Sequence, residues 1–267
     1  IEVEQFAGMG SLYFPVDVVK QKHEVSGSLA CHAWPRILGA LLALWFGEEN
    51  YVYEQETQTH KHEFTCAKTL PWFTLERAIE EKLFEQLIDA HLKSLEISGE
   101  EGTPIKLSVE LQALSSRVID NPGRVPEYEA DPVMPFIYWM GKLVFGVEGL
   151  TKDISAQVAS FTITLNNELY EDMYGMSLVR QDLPLTRRSG EVSLAVRMED
   201  ADYYKAVLYD AIEGRPKLKP ATGSLTLRAA YEVEGKRKSF ELVIPRMVLT
   251  AAPLEHDPSS TDPHTYE

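Results

Sequence analysis

The chain has 267 residues, 44% of them hydrophobic, and a formal net charge of −15 at pH 7. This hydrophobic fraction supplies real cores and excludes disorder over most of the length, and the length suits one large domain or two of about 130 residues. The excess of acidic residues argues against tight binding of the nucleic-acid backbone, because phosphate binding requires Lys and Arg to displace counterions. The charge is uneven, with a net −11 in residues 1–150 and −4 in residues 151–267.

No segment is long and apolar enough to predict membrane insertion. The longest apolar run, Ile37–Phe46, is about half of the ~18 residues that a membrane helix needs, and no secretion signal is evident in the sequence. Cys31 and Cys66 form neither a disulfide framework nor a ligand pair. We expect both to be buried, reduced thiols, as in a protein that folds in a reducing cytoplasm.

Alternation of apolar and polar residues along most of the chain predicts a mainly β fold. Glycine-rich and charged turns, such as residues 98–102 and 234–236, separate several of the strands. In chain order, we expect strands at Leu12–Val19, Glu24–His32, Tyr51–Thr59, His62–Ala67, Trp72–Ile79, Leu92–Ile97, Ile105–Leu114, Phe136–Phe145, Val158–Asn166, Glu191–Met198, Ser224–Glu232 and Ser239–Thr250.

Two helices interrupt this pattern, at Pro35–Phe46 and Ala201–Ile212. The first begins at a proline, which needs no N–H there, and Gly47 can end it in a left-handed cap. The second has aspartates at its N-terminal end and apolar residues at helical spacing. A third, short helix is predicted at Glu80–His91, where Leu83, Leu87 and His91 would share a face.

A proline-rich and acidic stretch, residues 121–132, divides the chain into two parts that resemble each other. On each side a strand leads into a helix that ends at a glycine, Gly47 or Gly214, and a hairpin follows. We therefore expect a duplication, with two similar β-sandwich domains at residues 1–125 and 126–267, each flanked by one helix.

The motifs that could carry chemistry are few. His60 and His62 share one face of a strand at a spacing that suits a divalent metal, but no third ligand stands nearby, so an exposed hairpin arm is favoured. Asn166-Asn167-Glu168 could bind Ca²⁺ or a sugar, although a turn is favoured. Nucleophile-elbow, phosphate-loop and Cys/His-quartet motifs are all missing. We predict no catalytic residue, metal or cofactor.

Two basic clusters stand out in this acidic chain: Lys217 with Lys219, and Lys236 with Arg237 and Lys238. Such clusters are usually a solvated face. They could instead be the complement of an acidic neighbouring subunit.

Four stretches, taken in order, resemble the tail tube proteins of bacteriophages with long, non-contractile tails. They are Val25–Leu29 with Leu41–Gly47, then Thr69–Glu76, Val158–Leu169 and Gly190–Gly214. Within the second, Leu70-Pro71-Trp72-Phe73-Thr74-Leu75-Glu76 is similar to that family's Leu-Pro-x-aromatic-Thr-aliphatic-Glu strand.

The resemblance implies a non-catalytic subunit of a hollow tube of stacked rings with an electronegative lumen. The partners would be other copies of the chain, the tape measure and tail terminator proteins, and DNA that passes without specific binding. Single-domain tube subunits form rings of six, so a duplicated chain would favour a trimeric, pseudo-hexameric ring over a hexamer. The implied location is the virion tail, assembled in the host cytoplasm.

The residues alone are consistent with self-assembly, because many strands imply exposed sheet edges that must be paired or covered. The alternative is a carbohydrate-binding or adhesin-like β-sandwich module. That module would need an exposed aromatic platform, for which Trp72 and Trp139 are candidates, but we expect both to be buried. A hydrolase is less favoured still, because no nucleophile and base are evident.

Overall fold

A computed structural model describes residues 2–6, 17–56, 58–79, 83–119, 134–147, 150–197, 205, 208–209, 220–233, 235–250, 254–255 and 265–266. This part of the chain is mainly β, with one α-helix and several antiparallel sheets that do not close into a barrel. The predicted fold class, mainly β with a flanking helix, is confirmed.

The first part of the chain contains β1 (Glu2–Phe6), β2 (Asp17–Lys22), β3 (Val25–His32), α1 (Pro35–Phe46), β4 (Gly47–Glu54), β5 (Thr59–Cys66), β6 (Phe73–Ile79), β7 (Leu83–Glu100) and β8 (Lys106–Ile119). A short 3-10 turn (Tyr138–Met140) precedes β9 (Gly141–Val147), β10 (Leu150–Asp153), β11 (Val158–Leu169), β12 (Leu185–Arg197), β13 (Thr222–Val233), β14 (Lys236–Val248), β15 (Leu254–Glu255) and β16 (Thr265–Tyr266).

These strands form one large sheet, one smaller sheet and two ribbons. The large sheet has the order β15-β16-β12-β11-β7-β8-β3, and β6 pairs with β7 beside this path. The smaller sheet has the order β10-β9-β13-β14, while β1-β2 and β4-β5 are two-stranded.

Helix α1 forms where it was predicted. Pro35 lies in its first turn, and Gly47 ends it with a positive φ of 87°, so the left-handed cap is confirmed. Leu38, Leu41 and Trp45 are buried at helical spacing, which places one face of α1 on the sheet.

The other two predicted helices have different outcomes. Ala201–Ile212 lies outside the described residues except for three positions, where Lys205 and Leu208 are helical and the N–H of Tyr209 donates to the carbonyl of Lys205 (2.8 Å). The helix predicted at Glu80–His91 is wrong, because Leu83–His91 is the first half of β7.

Irregularities in β7 explain that error. Asp89 has a positive φ of 52°, and the pairing register with β8 shifts between Leu92 and Ser94. Such bulges interrupt strict alternation, so buried residues occur three and four positions apart, as on a helix.

One hydrophobic cluster joins the two sheets and α1. It contains Leu95, Ile97 and Leu107 of the large sheet together with Leu143 and Leu225 of the smaller sheet, among other buried residues. The large sheet itself takes β3, β7 and β8 from one side of the predicted domain boundary and β11 and β12 from the other. The division at residues 125 and 126 stays a prediction, and any duplicated halves would share this sheet.

Candidate functional site

One face of the large sheet is polar over five adjacent strands. The pairing registers align three rows across β3, β8, β7, β11 and β12, and directly paired residues point to the same face. The rows are Ser28-Glu110-Ser94-Asn166-Ser189, Ala30-Ser108-Glu96-Thr164-Glu191 and His32-Lys106-Ser98-Thr162-Ser193. None of these fifteen residues is buried, and none is a large hydrophobic residue.

The opposite face of the same strands is apolar. Its rows include Leu95, Leu165, Ile97 and Ile163, which belong to the hydrophobic cluster. One side of this sheet therefore contacts the core. The other is an open surface about 19 Å across between its outermost strands, because five strands spaced ~4.8 Å apart have four gaps between them. We call the fifteen residues the polar face.

The polar face carries more negative than positive charge. Glu96, Glu110 and Glu191 form no ion pair within the described residues, and Lys106 is the one lysine among the fifteen positions. Next to the face, the Arg187 guanidinium donates to the Glu168 carboxylate and holds its pKa below the usual value. Paired charges thus border the unpaired carboxylates.

Asn167, the next residue of β11, points to the opposite side and is 1% exposed. Its Nδ2 donates to the carbonyls of Leu92 (3.0 Å) and Trp45 (3.4 Å), and its Oδ1 accepts from Arg188 Nε (3.0 Å). The turn predicted at Asn166-Asn167-Glu168 is therefore wrong, because these residues lie inside a strand whose core face needs a hydrogen-bonding side chain.

Arg188 completes this buried contact. Its guanidinium donates to the carbonyls of Phe46 (3.2 Å) and Ala67 (2.5 Å) and stacks over the Trp45 ring, with its central carbon 5.5 Å from the ring centroid. Helix ends leave carbonyls without partners, and a cation there also favours the helix dipole. We call Asn167 and Arg188 the clamp: it attaches the end of α1 and the base of the β4-β5 hairpin to the sheet.

A second arginine, Arg180, holds the loop at 170–184 over one end of the polar face. The Arg180 side chain is fully buried, and its Nε donates to the carbonyl of Glu171 (2.6 Å). With the Gln112 amide oriented to accept, its oxygen lies 2.8 Å from Arg180 Nη1. Sequence reasoning missed Arg180 and the clamp, because no local signal marks partners so far apart in the chain.

The β4-β5 hairpin is a ribbon with two unlike faces. Tyr51, Tyr53, His60, His62 and Phe64 share one face, and the ring centroids of Tyr53 and His60 are 4.8 Å apart. The Tyr51 hydroxyl lies 2.6 Å from His60 Nδ1, and a carboxylate oxygen of Glu49 lies 2.5 Å from His62 Nδ1. Both histidines are exposed on a hairpin arm, as expected, and no group of three or more metal-ligating side chains occurs among the described residues.

Two long strands, β3 and β14, are edge strands of their sheets. In the described part of the chain, β3 pairs only with β8, and β14 pairs only with β13. Pro245 lies in β14, and an edge strand tolerates a residue without an N–H. Both strands therefore present backbone groups that another strand could pair with.

The expected burial of both tryptophans and both cysteines is wrong. Trp72 is 45% and Trp139 is 72% exposed. Trp72 covers the buried His91, with ring centroids 3.7 Å apart, so one of its faces is occupied. Both cysteines are free thiols as expected, but Cys31 is only half-buried and Cys66 is exposed.

Comparison with known proteins identifies the family. A family model described as "Phage tail tube protein" matches residues 9–258, which is nearly the whole chain. No curated protein matches the chain. No helix in the described part of the chain is long and apolar enough to cross a membrane. A family match over this length, on a mainly β fold with a flanking helix, shows that the chain belongs to the phage tail tube proteins, which are structural proteins of the virion tail.

Proposed function

We propose that this chain is the subunit of the tube of a long, non-contractile tail, and that it assembles into stacked rings whose lumen conducts DNA. In this proposal the polar face lines the lumen. The chain has no catalytic role, assembles in the host cytoplasm and meets the tape measure and tail terminator proteins. The observation that carries the proposal is the polar face itself, because it is a broad, exposed surface of hydroxyls, amides and unpaired carboxylates, as a wall along which DNA passes would need.

The composition of the polar face suits the passage of DNA. Ser, Thr and Asn present hydroxyls and amides that hold water, and the unpaired Glu96, Glu110 and Glu191 repel phosphates. A wall rich in Lys and Arg would instead pair with phosphates and release counterions. At physiological ionic strength the repulsion reaches about 8 Å from the wall, so it keeps the genome hydrated and mobile.

The free edges of β3 and β14 support assembly. Pairing between such edges on neighbouring subunits would continue the sheets around a ring and remove the aggregation hazard that open edges present. The predicted duplication would favour a trimeric, pseudo-hexameric ring, with a hexamer as the second arrangement. Unassembled protein is expected to be monomeric, because tube growth needs a nucleus.

Electron microscopy of the purified protein tests the assembly, and the symmetry of the resulting tubes decides between three and six chains per ring. The lumen assignment is tested by replacing Glu96, Glu110 and Glu191 with lysine. Tubes of this variant should retain short double-stranded DNA at low salt and release it at high salt, whereas tubes with glutamine at the same positions should not.

The glutamine variant is the matched control, because it removes the charge without reversing it. If lysine tubes exclude DNA as wild-type tubes do, the polar face does not line the lumen, whereas the tube assignment stands. If the triple lysine variant does not assemble, Glu96→Lys alone is co-assembled with wild-type protein and measured in the same way.

The adhesin-like alternative gains one observation, the exposure of Trp72 and Trp139. However, one face of Trp72 lies on His91, and the two indoles have no ring contact with each other. A sugar platform needs free aromatic faces. The polar face and the free edges favour the tube.

A further inference from the structure

We infer that the aromatic face of the β4-β5 hairpin binds a basic segment, Lys236-Arg237-Lys238, of a second copy of the chain. This segment begins β14 directly after the tight turn from β13, and we call it the basic turn. The inference deepens the proposed function and rests on it, because it names one contact by which subunits join. Four observations carry it: the isolation of the hairpin, the chemistry of its faces, the unpaired cations of the turn, and the occurrence of both surfaces on one chain.

The hairpin is structurally isolated. In the described residues, β4 and β5 pair only with each other, and nearly all of their residues are exposed on both faces. The base is attached, since Ala67 N donates to the Phe46 carbonyl (2.8 Å) and Arg188 of the clamp donates to the Ala67 carbonyl. A two-stranded ribbon is marginally stable in water without a surface to cover it. A hairpin whose base is fixed and whose strands are exposed suits an element that packs against a partner.

The faces of the hairpin attract cations. Tyr51 and Tyr53 are 51% and 44% exposed, and their rings lie against His60 and His62 in one preformed row. Residues 47–66 carry five carboxylates and a single lysine, Lys61. Aromatic rings bind Lys and Arg through their negative faces, and nearby carboxylates add charge complementarity. The hairpin therefore offers a preorganised surface for a basic segment.

The basic turn, which forms the first three residues of β14, is the matching segment. Lys236 and Arg237 are exposed, Lys238 is half-exposed, and none of the three forms an ion pair in the described structure. Glu232 lies opposite Arg237 in register but forms no ion pair with it. Elsewhere on the same sheet, Lys142 pairs with Asp153 and Arg228 pairs with Glu241. These three adjacent cations thus differ from Lys142 and Arg228 in having no ion-pair partner in the described structure.

A second copy supplies the turn. Among the described residues, no hydrogen bond, ion pair or ring contact joins the turn to the hairpin of the same chain. Two different complementary surfaces on one molecule make a head-to-tail contact, which closes into a ring or continues as a filament. A tube needs contacts of this kind.

Two variants with matched controls test the contact. Replacing Lys236, Arg237 and Lys238 with serine, or Tyr51 and Tyr53 with serine, should raise the critical concentration for tube assembly by about tenfold or more. The controls are Lys142→Ser with Arg228→Ser, which removes cations that are already paired, and Tyr170→Ser, which removes an equally exposed tyrosine outside the hairpin. An equimolar mixture of the two contact variants should give short complexes and no long tubes, because each new pair keeps only one functional contact.

Photocrosslinking gives a readout that does not depend on those variants assembling or folding. A benzoylphenylalanine at position 53, in a mixture of isotopically heavy and light subunits, should crosslink between copies to the peptide that contains residues 236–238. Crosslinks to other segments, or unchanged assembly of both contact variants, would overturn the contact while tubes of wild-type protein keep the proposed function. If wild-type protein forms no tubes or crosslinked oligomers, the proposed function fails as well.

Discussion

The clamp should contribute a large share of the stability of the free subunit, and Asn167 is the residue that tests this. Replacing Asn167 with alanine removes the side chain that joins the Trp45 and Leu92 carbonyls to Arg188. Asn166 is the matched control, because it lies in the same strand but on the polar face, where its side chain forms no hydrogen bond with the described residues. The pair of variants separates the clamp from a general effect of losing an asparagine in β11.

The size of the effect follows from the three hydrogen bonds. A neutral bond makes a net contribution of about 1 kcal/mol and a bond to a charged group about 1.5–3 kcal/mol, while a buried group left unpaired costs about 1–3 kcal/mol. The bond to Leu92 is a good neutral one at 3.0 Å, the bond to Trp45 is weak at 3.4 Å, and the bond from Arg188 is charged. We therefore expect Asn167→Ala to lower the free energy of unfolding by about 2–4 kcal/mol, and Asn166→Ala to change it by less than about 0.5 kcal/mol.

Urea unfolding of unassembled protein measures both values. With a slope of about 2–3 kcal/mol per molar urea for a chain of this size, Asn167→Ala should move the midpoint down by about 1 M. A loss below about 1 kcal/mol, or equal losses for the two variants, would refute the clamp as a buried, fully satisfied network.

Two further predictions concern α1 and the buried histidine. Gly47→Ala should destabilise the subunit by about 1–2 kcal/mol, since Gly47 has a φ of 87° and a Cβ there would lie 3.0 Å from the Thr69 carbonyl. Gly39→Ala is the control: a Cβ there would have nothing within 4 Å, so this change should stabilise the subunit by about 0.5–1 kcal/mol. Equal shifts of the melting temperature for the two variants would contradict this. Burial lowers the pKa of His91 below its ordinary 6.5, against the opposing effects of the Pro71 carbonyl and Asp182. Its stabilising contribution is therefore complete above pH 6.5 and is lost as the pH falls toward the lower folded pKa. His91→Gln should therefore reduce the change in the free energy of unfolding between pH 7 and 5. An unchanged pH dependence would exclude His91 as its cause.

Local signals were sufficient for α1 but not for β7. At α1, the proline start, the apolar spacing and the glycine stop all belong to neighbouring residues, so the predicted bounds of Pro35–Phe46 are confirmed. At β7, the bulge and the positive φ of Asp89 depend on pairing with β8, whose partner residues there lie about 16 to 23 positions downstream. A sequence pattern records the spacing of buried residues but not the partner strand that causes it.

The polar face was predictable only in part. The net charge predicted an acidic surface, and alternation predicted β3, β11 and β12, but assigning that surface to one sheet face requires the registers of four strand pairs. Asn167 illustrates the limit: its hydrogen-bond partners in α1 and β7 are 122 and 75 residues away. An asparagine pair looks like a turn until those partners are known.

Strand β11 connects the two surfaces that the proposed tube depends on. Asn166, Thr164 and Thr162 lie on its open side in the polar face, while Asn167 on its closed side holds the end of α1, from which the hairpin begins. A change in the register of β11 by one residue would exchange these two sets of side chains. It would place apolar residues on the polar face and release the base of the hairpin together. A subunit that misfolds at β11 would thus lose the proposed channel wall and the inferred subunit contact at once, so only correctly folded chains would join a tube.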